Sequence, residues 1–249
     1  MNLDNPISVR ANKTIYRDGD LTIKLFSKEI PKAIVLNEAL NMARVAETGL
    51  HVPHLESVTK LDGQWAIVTR YIEGKTMQQL MDENPDKMDE LLARFITIQL
   101  EVQSHVCPML SSLKEKMQKK ISQTQLDATT RYDQHTRLEG MKTHNKLCHG
   151  DFNPSNIIIT PEDKAYVLDW NHATQGNASA DVARTYLLFC LEGKTELAEK
   201  YLNLFCKMSD TAKQYVQKWI PIVAASQSVK GNPEERELLL KWVDVVEYE

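Results

Sequence analysis

One stretch of the chain, residues 147–170, constrains its fold more than any other. It begins with LCHGDFNPSN, continues with three isoleucines and a PEDK turn, and ends with AYVLDW. Two short apolar runs separated by turn residues predict a β-hairpin. If the hairpin is centred between Glu162 and Asp163, Asn156 pairs directly with Asp169, and directly paired Cβ atoms lie about 4.5–5.5 Å apart. We therefore predict that Asn156 and Asp169 offer oxygen ligands to one hard cation such as Mg²⁺.

A further acidic residue, Asp151, lies just before this hairpin and five residues before Asn156. The spacing H-x-D-x-x-x-x-N is that of a kinase catalytic loop, in which the Asp orients the attacking hydroxyl and accepts its proton. In the same template a later Asp binds Mg²⁺, and this is the role predicted for Asp169. The spacing therefore predicts a phosphoryl-transfer site.

The first seventy residues show short β-type runs around one helical pattern. Two pairs of runs flank the turns RDGD and LDG and predict hairpins. Their strands are predicted at 13–16, 21–26, 55–60 and 64–69. Apolar residues recur at helical spacing over 31–48. Lys24 is predicted on a strand and Glu38 on this helix, in kinase order, although Glu29 or Glu47 would also suit the partner role.

Beyond Gly74 the pattern changes to broad apolar stripes at helical spacing. The predicted helices include 88–106, 195–208, 211–226 and 234–246. We therefore predict an α+β protein of two lobes. The first lobe, 1–74, is small and β-rich with one main helix and a hinge, and the second, 75–249, is larger and mostly helical.

Composition excludes several classes of function. The chain has only 9 glycines and contains neither G-x-G-x-x-G nor G-x-x-x-x-G-K-[ST], so a glycine-rich phosphate loop of either kind is not expected. A net charge of −4 argues against nucleic acid as a partner. No apolar run approaches the ~20 residues that span a bilayer, and no leader pattern begins the sequence, so we expect no membrane partner and a cytoplasmic location.

Residues 147–185 together resemble the aminoglycoside phosphotransferase and choline kinase family, whose fold is protein-kinase-like. The resemblance rests on HGDFNPSN, LDW, Gly176 and DVART. Gly150, where protein kinases commonly have arginine, and Trp170 after the metal Asp point to this small-molecule branch. The resemblance implies a bilobal fold that binds ATP or GTP with Mg²⁺ and transfers the γ-phosphoryl group to a hydroxyl of a small molecule.

The resemblance also implies roles for individual residues. The backbone groups of Arg70 and Ile72 would face the purine at the hinge. His149 and Asp181 would brace the catalytic loop, Asp181 by accepting backbone N–H bonds. The nucleotide-covering loop would lie near 11–20, where there is no glycine before Gly19. The candidate substrate contacts are Asn153, Asn171 and His172.

Three alternatives are left open by the sequence. The acceptor could be aminoglycoside-like, or an amino alcohol or sugar-like metabolite. A nucleotide-binding pseudokinase or regulatory protein could keep the same fold without turnover, although the intact Lys24, Asp151, Asn156 and Asp169 set argues against it. A protein kinase is disfavoured because the A-P-E segment is absent.

Overall fold

A computed structural model of the chain describes residues 1–229 and 233–243. The strands are β1 (Pro6–Arg10), β2 (Lys13–Asp18), β3 (Leu21–Phe26), β4 (Leu55–Leu61), β5 (Gln64–Arg70), β6 (Lys75–Thr76), β7 (Lys146–Cys148), β8 (Ile157–Ile159), β9 (Ala165–Val167) and β10 (Thr174–Gly176). The helices are α1 (Lys32–Ala46), α2 (Met77–Glu83), α3 (Met88–Ser104), α4 (Leu113–Ser122), α5 (Ala128–Gly140), α6 (Ala178–Leu191), α7 (Thr195–Ser209), α8 (Lys213–Gln217), α9 (Trp219–Gln227) and α10 (Pro233–Val243). Positions 244–246 of the last predicted helix lie outside the described residues.

The chain forms two compact units. The first consists of Met1–Asp86 together with Pro154–His172, and the second of Lys87–Asn153 together with Ala173–Glu249. An antiparallel sheet at the N-terminal end followed by mostly helical structure confirms the predicted α+β class. The lobe division at residue 74 stays a prediction.

The first unit is built on a five-stranded antiparallel sheet in the order β1-β2-β3-β5-β4. Both predicted hairpins are present, and β1 adds an edge strand that the sequence pattern did not indicate. Ile23 and Leu25 on β3 pack with Ala66 and Val68 on β5 in one buried cluster. Because side chains alternate along a strand, Lys24 lies on the opposite face of the sheet.

Helix α1 begins after Pro31, close to the predicted start. Its buried face is mostly apolar but includes two polar residues, Glu38 and Asn41, which are 5% and 4% exposed. Buried polar side chains are costly unless they are hydrogen-bonded. Their partners, described below, belong to the candidate site.

The β8–β9 hairpin is present, but its predicted register is wrong. Ile158 pairs with Tyr166, so the hairpin centres on Glu162 and Asn156 falls opposite Leu168 instead of Asp169. The loop has three residues because Asp163 takes a left-handed conformation (φ 66°). The Asp163 amide donates a hydrogen bond to the Thr160 carbonyl at 2.9 Å. A loop with an odd number of residues shifts the pairing by one position.

Aromatic side chains from several helices and one loop pack together in the second unit. Phe95 of α3 lies 4.8 Å from Phe152 and 5.9 Å from Tyr201 of α7, measured between ring centroids. Phe189 of α6 contacts the same Tyr201 ring. This packing places α6 beside the segment that carries Phe152.

The single helix predicted over 211–226 is instead two helices, α8 and α9, and that prediction is wrong. Pro221 explains the break, because proline has no amide hydrogen and its ring clashes with the carbonyl four residues earlier, here that of Gln217. No helix among the described residues is both long and apolar enough to cross a membrane.

Candidate active site

A cavity of about 410 Å³ opens within the first unit. Its volume lies in the range of small-molecule sites, and many of its walls are apolar, as nucleotide and ligand pockets usually are. Its polar lining includes Lys24, Glu38, Asn156 and Asp169. The apolar lining includes Ile7, Ile15, Met42, Pro53, Ile67, Ile158 and Leu168.

Lys24 is held between two carboxylates. Its Nζ donates to Glu38 Oε1 and lies 3.1 Å from Asp169 Oδ1. The side chains of Lys24 and Glu38 are only 13% and 7% exposed. Of the glutamates that the sequence left open, Glu38 is the one that the structure brings to Lys24. The role of this pair toward a nucleotide stays a prediction.

A second lysine, Lys13, reaches the same carboxylate and was missed in the sequence. Its Nζ lies 2.8 Å from Asp169 Oδ2, and its side chain is 17% exposed. Lys13 begins β2, directly after the turn that joins β1 and β2, within the segment expected to cover the nucleotide. Its partner lies 156 positions away, so no local signal could have identified the contact.

The charges in this cluster shift the pKa values of Asp169, Lys24 and Lys13. Burial disfavours the charged form of Asp169, but Lys24 and Lys13 outweigh burial and hold the pKa of Asp169 well below its usual range. Burial likewise opposes the charge on Lys24, but the Asp169 and Glu38 carboxylates prevail and raise its pKa. Burial and the adjacent Lys24 charge lower the pKa of Lys13. Asp169 is therefore ionised at neutral pH and attracts cations.

The backbone around Asp169 is held in an uncommon conformation. Asp169 has φ 62°, a left-handed value that non-glycine residues seldom adopt and that is enriched at functional sites. One turn along α1 from Glu38, Asn41 Nδ2 donates to the carbonyls of Trp170 and Asn171 at 3.3 and 3.4 Å. One helix therefore fixes both the Lys24 partner and the chain after Asp169, and the contribution of Asn41 was not predicted.

Asn156 and Asp169 both line the cavity with oxygen-bearing side chains, and their role as Mg²⁺ ligands stays a prediction. The Leu168 amide donates to the Asn156 carbonyl at 2.8 Å, which ties the two segments together one residue before Asp169. Carboxylate and amide oxygens are suitable donors for Mg²⁺. No cluster of three or more His, Cys, Asp or Glu side chains within 1–229 and 233–243 could hold a metal. A cation here would complete its shell with waters and nucleotide phosphates.

The predicted hinge residues, Arg70 and Ile72, both line the cavity. The Arg70 amide donates to the His54 carbonyl at 2.9 Å, so any purine contact from the Arg70 backbone would use its carbonyl oxygen. The Arg70 side chain pairs with Glu56. Purine binding by these residues stays a prediction.

The segment around Asp151 lies in the second unit. Asn153 Nδ2 donates to the Asp151 carbonyl at 3.0 Å and contacts Asp151 Oδ2 at 3.4 Å. His149 is fully buried, and its Nδ1 accepts from the Asp151 amide at 3.2 Å. Asn153, expected at the substrate, therefore also contacts the predicted base itself, while a substrate contact stays a prediction.

Asp181 on α6 accepts hydrogen bonds from the backbone of the same loop. Its carboxylate accepts from the amides of His149 and Gly150 at 3.1 and 2.6 Å. Burial raises the pKa of Asp181. The His149 side chain and the hydrogen bonds from these two amides oppose the rise. Gly150 has φ 80°, which a side chain would strain, and this gives a physical reason for the glycine. Asp181 therefore holds two successive amides of the loop, and its role in supporting catalysis stays a prediction.

The two other candidate substrate residues, Asn171 and His172, follow Asp169 in a short 3₁₀ helix, Trp170–His172. Both are half-buried. They share the first unit with the cavity but are not among its lining residues, and their substrate role stays a prediction.

Comparison with known proteins gives a family and a fold. The model of the phosphotransferase enzyme family (APH) matches residues 6–215. No curated protein sequence matches the chain. Among solved structures, a thermostable mutant of aminoglycoside phosphotransferase APH(4)-Ia in ternary complex with AMP-PNP and hygromycin B is similar, with TM-score 0.71 and 13% identity over 96% of this chain and 90% of that one.

Two choline kinase structures are also similar. Choline kinase LicA from Streptococcus pneumoniae has TM-score 0.64 and 15% identity, covering 98% of this chain and 93% of that chain. A choline/ethanolamine kinase family protein from Mesorhizobium loti has TM-score 0.61 and 18% identity, covering 90% and 77%. These likenesses confirm the kinase-like fold expected from residues 147–185.

Proposed function

The chain belongs to the phosphotransferase enzyme family, and we propose that it transfers the γ-phosphoryl group of ATP or GTP to a hydroxyl of a small molecule. The observation that carries the proposal is the buried cluster of Lys24, Glu38 and Asp169, which lines a largely apolar cavity. Such a site offers an apolar surface to a nucleobase and charged side chains to the phosphates. Phosphoryl transfer depends almost entirely on positioning and on neutralising the phosphate charge.

The donor side of the reaction follows from this cluster. Glu38 fixes the direction of the Lys24 ammonium, which would contact the α- and β-phosphates. Lys13 supplies a second ammonium group on the other oxygen of Asp169. Because glycine-rich backbone is absent, two lysine side chains would provide the phosphate contacts that backbone amides provide elsewhere.

Asp169 and Asn156 would hold Mg²⁺. When bound, the ion would neutralise charge on the nucleotide phosphates. Asp169 can take this role because the two lysines keep it ionised. If the ion displaced one of the lysine contacts of Asp169, that ammonium group would become available to a phosphate oxygen.

The acceptor side rests on Asp151. Its carboxylate would accept a hydrogen bond from the acceptor hydroxyl, orient the oxygen for in-line attack and take its proton. The hydrogen bonds from the His149 and Gly150 amides to the Asp181 carboxylate hold the loop that carries Asp151. A held carboxylate loses little freedom when the acceptor binds, which favours catalysis by positioning.

The acceptor is proposed as a class. Structures similar to this one are described as a complex with hygromycin B, as a choline kinase and as a choline/ethanolamine kinase family protein. We therefore propose an aminoglycoside-like compound or an amino-alcohol or sugar-like metabolite. Nothing in the cavity lining favours ATP over GTP, and both belong in the test.

The test is a transfer assay with γ-labelled ATP or GTP, Mg²⁺ and a panel of acceptors. The panel contains hygromycin B, choline, ethanolamine, simple sugars and a generic protein substrate. Label on a small molecule supports the proposal, and label on the protein substrate alone indicates a protein kinase. Nucleotide binding without transfer to any acceptor indicates a nucleotide-binding protein without turnover and overturns the proposal.

A further inference from the structure

Helix α6 contacts the loop around Asp151 through three residues on one face. Asp181 accepts from the amides of His149 and Gly150, Arg184 Nη2 lies 3.5 Å from Asp151 Oδ1, and Thr185 Oγ1 donates to the Phe152 carbonyl at 2.8 Å. Positions i, i+3 and i+4 share a helix face. Consecutive loop residues therefore meet successive positions along one helix.

Of these three contacts with the loop, only that of Arg184 is shown with a loop side-chain atom, and that side chain is the predicted base. The loop His149–Asn156 contains no lysine or arginine of its own. The positive charge beside Asp151 therefore comes from a residue 33 positions later in the chain. Arg184 lies within the DVART segment, but its contact with Asp151 follows only from the packing of α6.

The Arg184 side chain is held in an environment that is unfavourable for a cation. It is 16% exposed, and its Nε has no hydrogen-bond partner among the described residues. Burial lowers the pKa of Arg184, and the negative charges of Asp151, Glu235 and Asp181 oppose this. A buried arginine destabilises the fold unless it is well paired, and here the pairing is long and incomplete. A contribution to the stability of the fold therefore does not explain why an arginine lies at this position.

We propose that Arg184 is a positioning residue that holds the Asp151 carboxylate for the acceptor hydroxyl. Its guanidinium takes one carboxylate oxygen, and Asn153 contacts the other. Each carboxylate oxygen can accept more than one hydrogen bond, so these two contacts do not by themselves prevent the hydroxyl from binding. This role rests on the proposed phosphotransferase function. It adds a residue from outside the catalytic loop to the acceptor side of the reaction.

The test compares Arg184→Ala and Arg184→Lys with Thr185→Val. The threonine variant removes a contact from the same helix to the same loop but leaves Asp151 and its guanidinium in place. The assay measures kcat and the nucleotide KM with the best acceptor from the panel, in the presence and absence of millimolar guanidinium chloride. Soluble guanidinium can enter the space that a truncated arginine leaves.

We expect Arg184→Ala to lower kcat roughly 10–100-fold with little change in nucleotide KM, because misplacing a reacting group by about 1 Å can cost 10²-fold. Guanidinium should restore part of that loss and should not help Thr185→Val. Arg184→Lys should fold and retain an intermediate kcat, since lysine keeps the charge but not the planar fork.

Two results would overturn the role of Arg184 alone. One is a folded Arg184→Ala or Arg184→Lys variant with wild-type kcat. The other is a loss of kcat that guanidinium does not relieve and that Thr185→Val reproduces, because that is the behaviour of a structural contact. If the wild-type protein transfers phosphate to no acceptor, the proposed function fails and this role fails with it.

Discussion

Replacing Lys24 by methionine should destabilise the protein strongly, because it leaves a buried carboxylate without its partner. Glu38 is 7% exposed on its side chain, and its Oε2 already lacks a hydrogen-bond partner among the described residues. Without Lys24, both oxygens of Glu38 are buried and unpaired. Breaking a buried ion pair in this way costs about 3–5 kcal/mol, a large part of a typical stability of about 5–15 kcal/mol.

Replacing Lys24 and replacing Glu38 should lower the free energy of unfolding by different amounts. Glu38→Leu should cost less than Lys24→Met, because Lys24 keeps Asp169 at 3.1 Å. The double variant Lys24→Met/Glu38→Leu removes both charges and should recover most of the loss, since an apolar pair of similar volume is often as stable as the buried ion pair. We expect a coupling energy of at least about 2 kcal/mol. The double variant should be folded and still defective in phosphoryl transfer.

Urea denaturation followed by tryptophan fluorescence measures these free energies. The matched control is Lys75→Met, which removes an exposed pair with Glu83, 2.6 Å apart with side chains 56% and 50% exposed. That change should cost under about 1 kcal/mol. The reasoning is refuted if Lys24→Met costs no more than Lys75→Met, or if the double variant loses the sum of the two single losses.

Three further predictions concern the charges around Asp169. Asp169→Ala should weaken binding of Mg-ATP at least about tenfold by calorimetry while leaving metal-free ATP little affected, because only the former uses the carboxylate; equal affinities for Mg-ATP would contradict the metal assignment. Lys13→Met should raise the KM for Mg-ATP by roughly tenfold, the equivalent of about 1.4 kcal/mol for one charge-assisted contact; an unchanged or lower KM, measured beside Lys75→Met, would exclude a phosphate contact. Because the folded pKa of Asp169 lies below its unfolded value of about 3.9, its stabilisation is complete above that value and is lost as the pH falls toward the folded pKa. Between about pH 5 and 3, the free energy of unfolding should therefore fall more steeply for the wild type than for Asp169→Asn, and parallel slopes would show that the two lysines do not act on Asp169.

The parts of the fold that the sequence predicted depend on local patterns. Helix α1, both N-terminal hairpins and the start of α3 at Met88 follow from periodicity and turn residues within a short window. The break between α8 and α9 was missed although its signal, Pro221, is also local. The apolar stripe continues across the proline, so periodicity alone predicts one helix there.

The β8–β9 register failed for a different reason. The length of the loop depended on whether Asp163 adopts a left-handed conformation, and aspartate can take either option. Asn156 and Asp169 still line one cavity, because residues near the end of a hairpin remain close after a shift of one position. The prediction of a shared site therefore did not depend on the exact pairing.

The remaining site contacts are long-range in sequence. Lys13 meets Asp169 across 156 positions, and Arg184 meets Asp151 across 33. Lys13 lies in no motif, and the DVART segment marks Arg184 without indicating its partner. Such contacts follow only from the packing of whole elements, so a single sequence cannot predict them.

The most direct test of the account is a single-turnover transfer experiment with Asp151→Ala, the best acceptor and saturating Mg-ATP. Removing a general base costs about 10²–10⁴-fold in rate, and the loss of hydroxyl orientation acts in the same direction. If Asp151 is the base, the transfer rate of the variant is at least about a hundredfold below wild type with an unchanged affinity for Mg-ATP. Transfer by this variant at the wild-type rate would contradict the account.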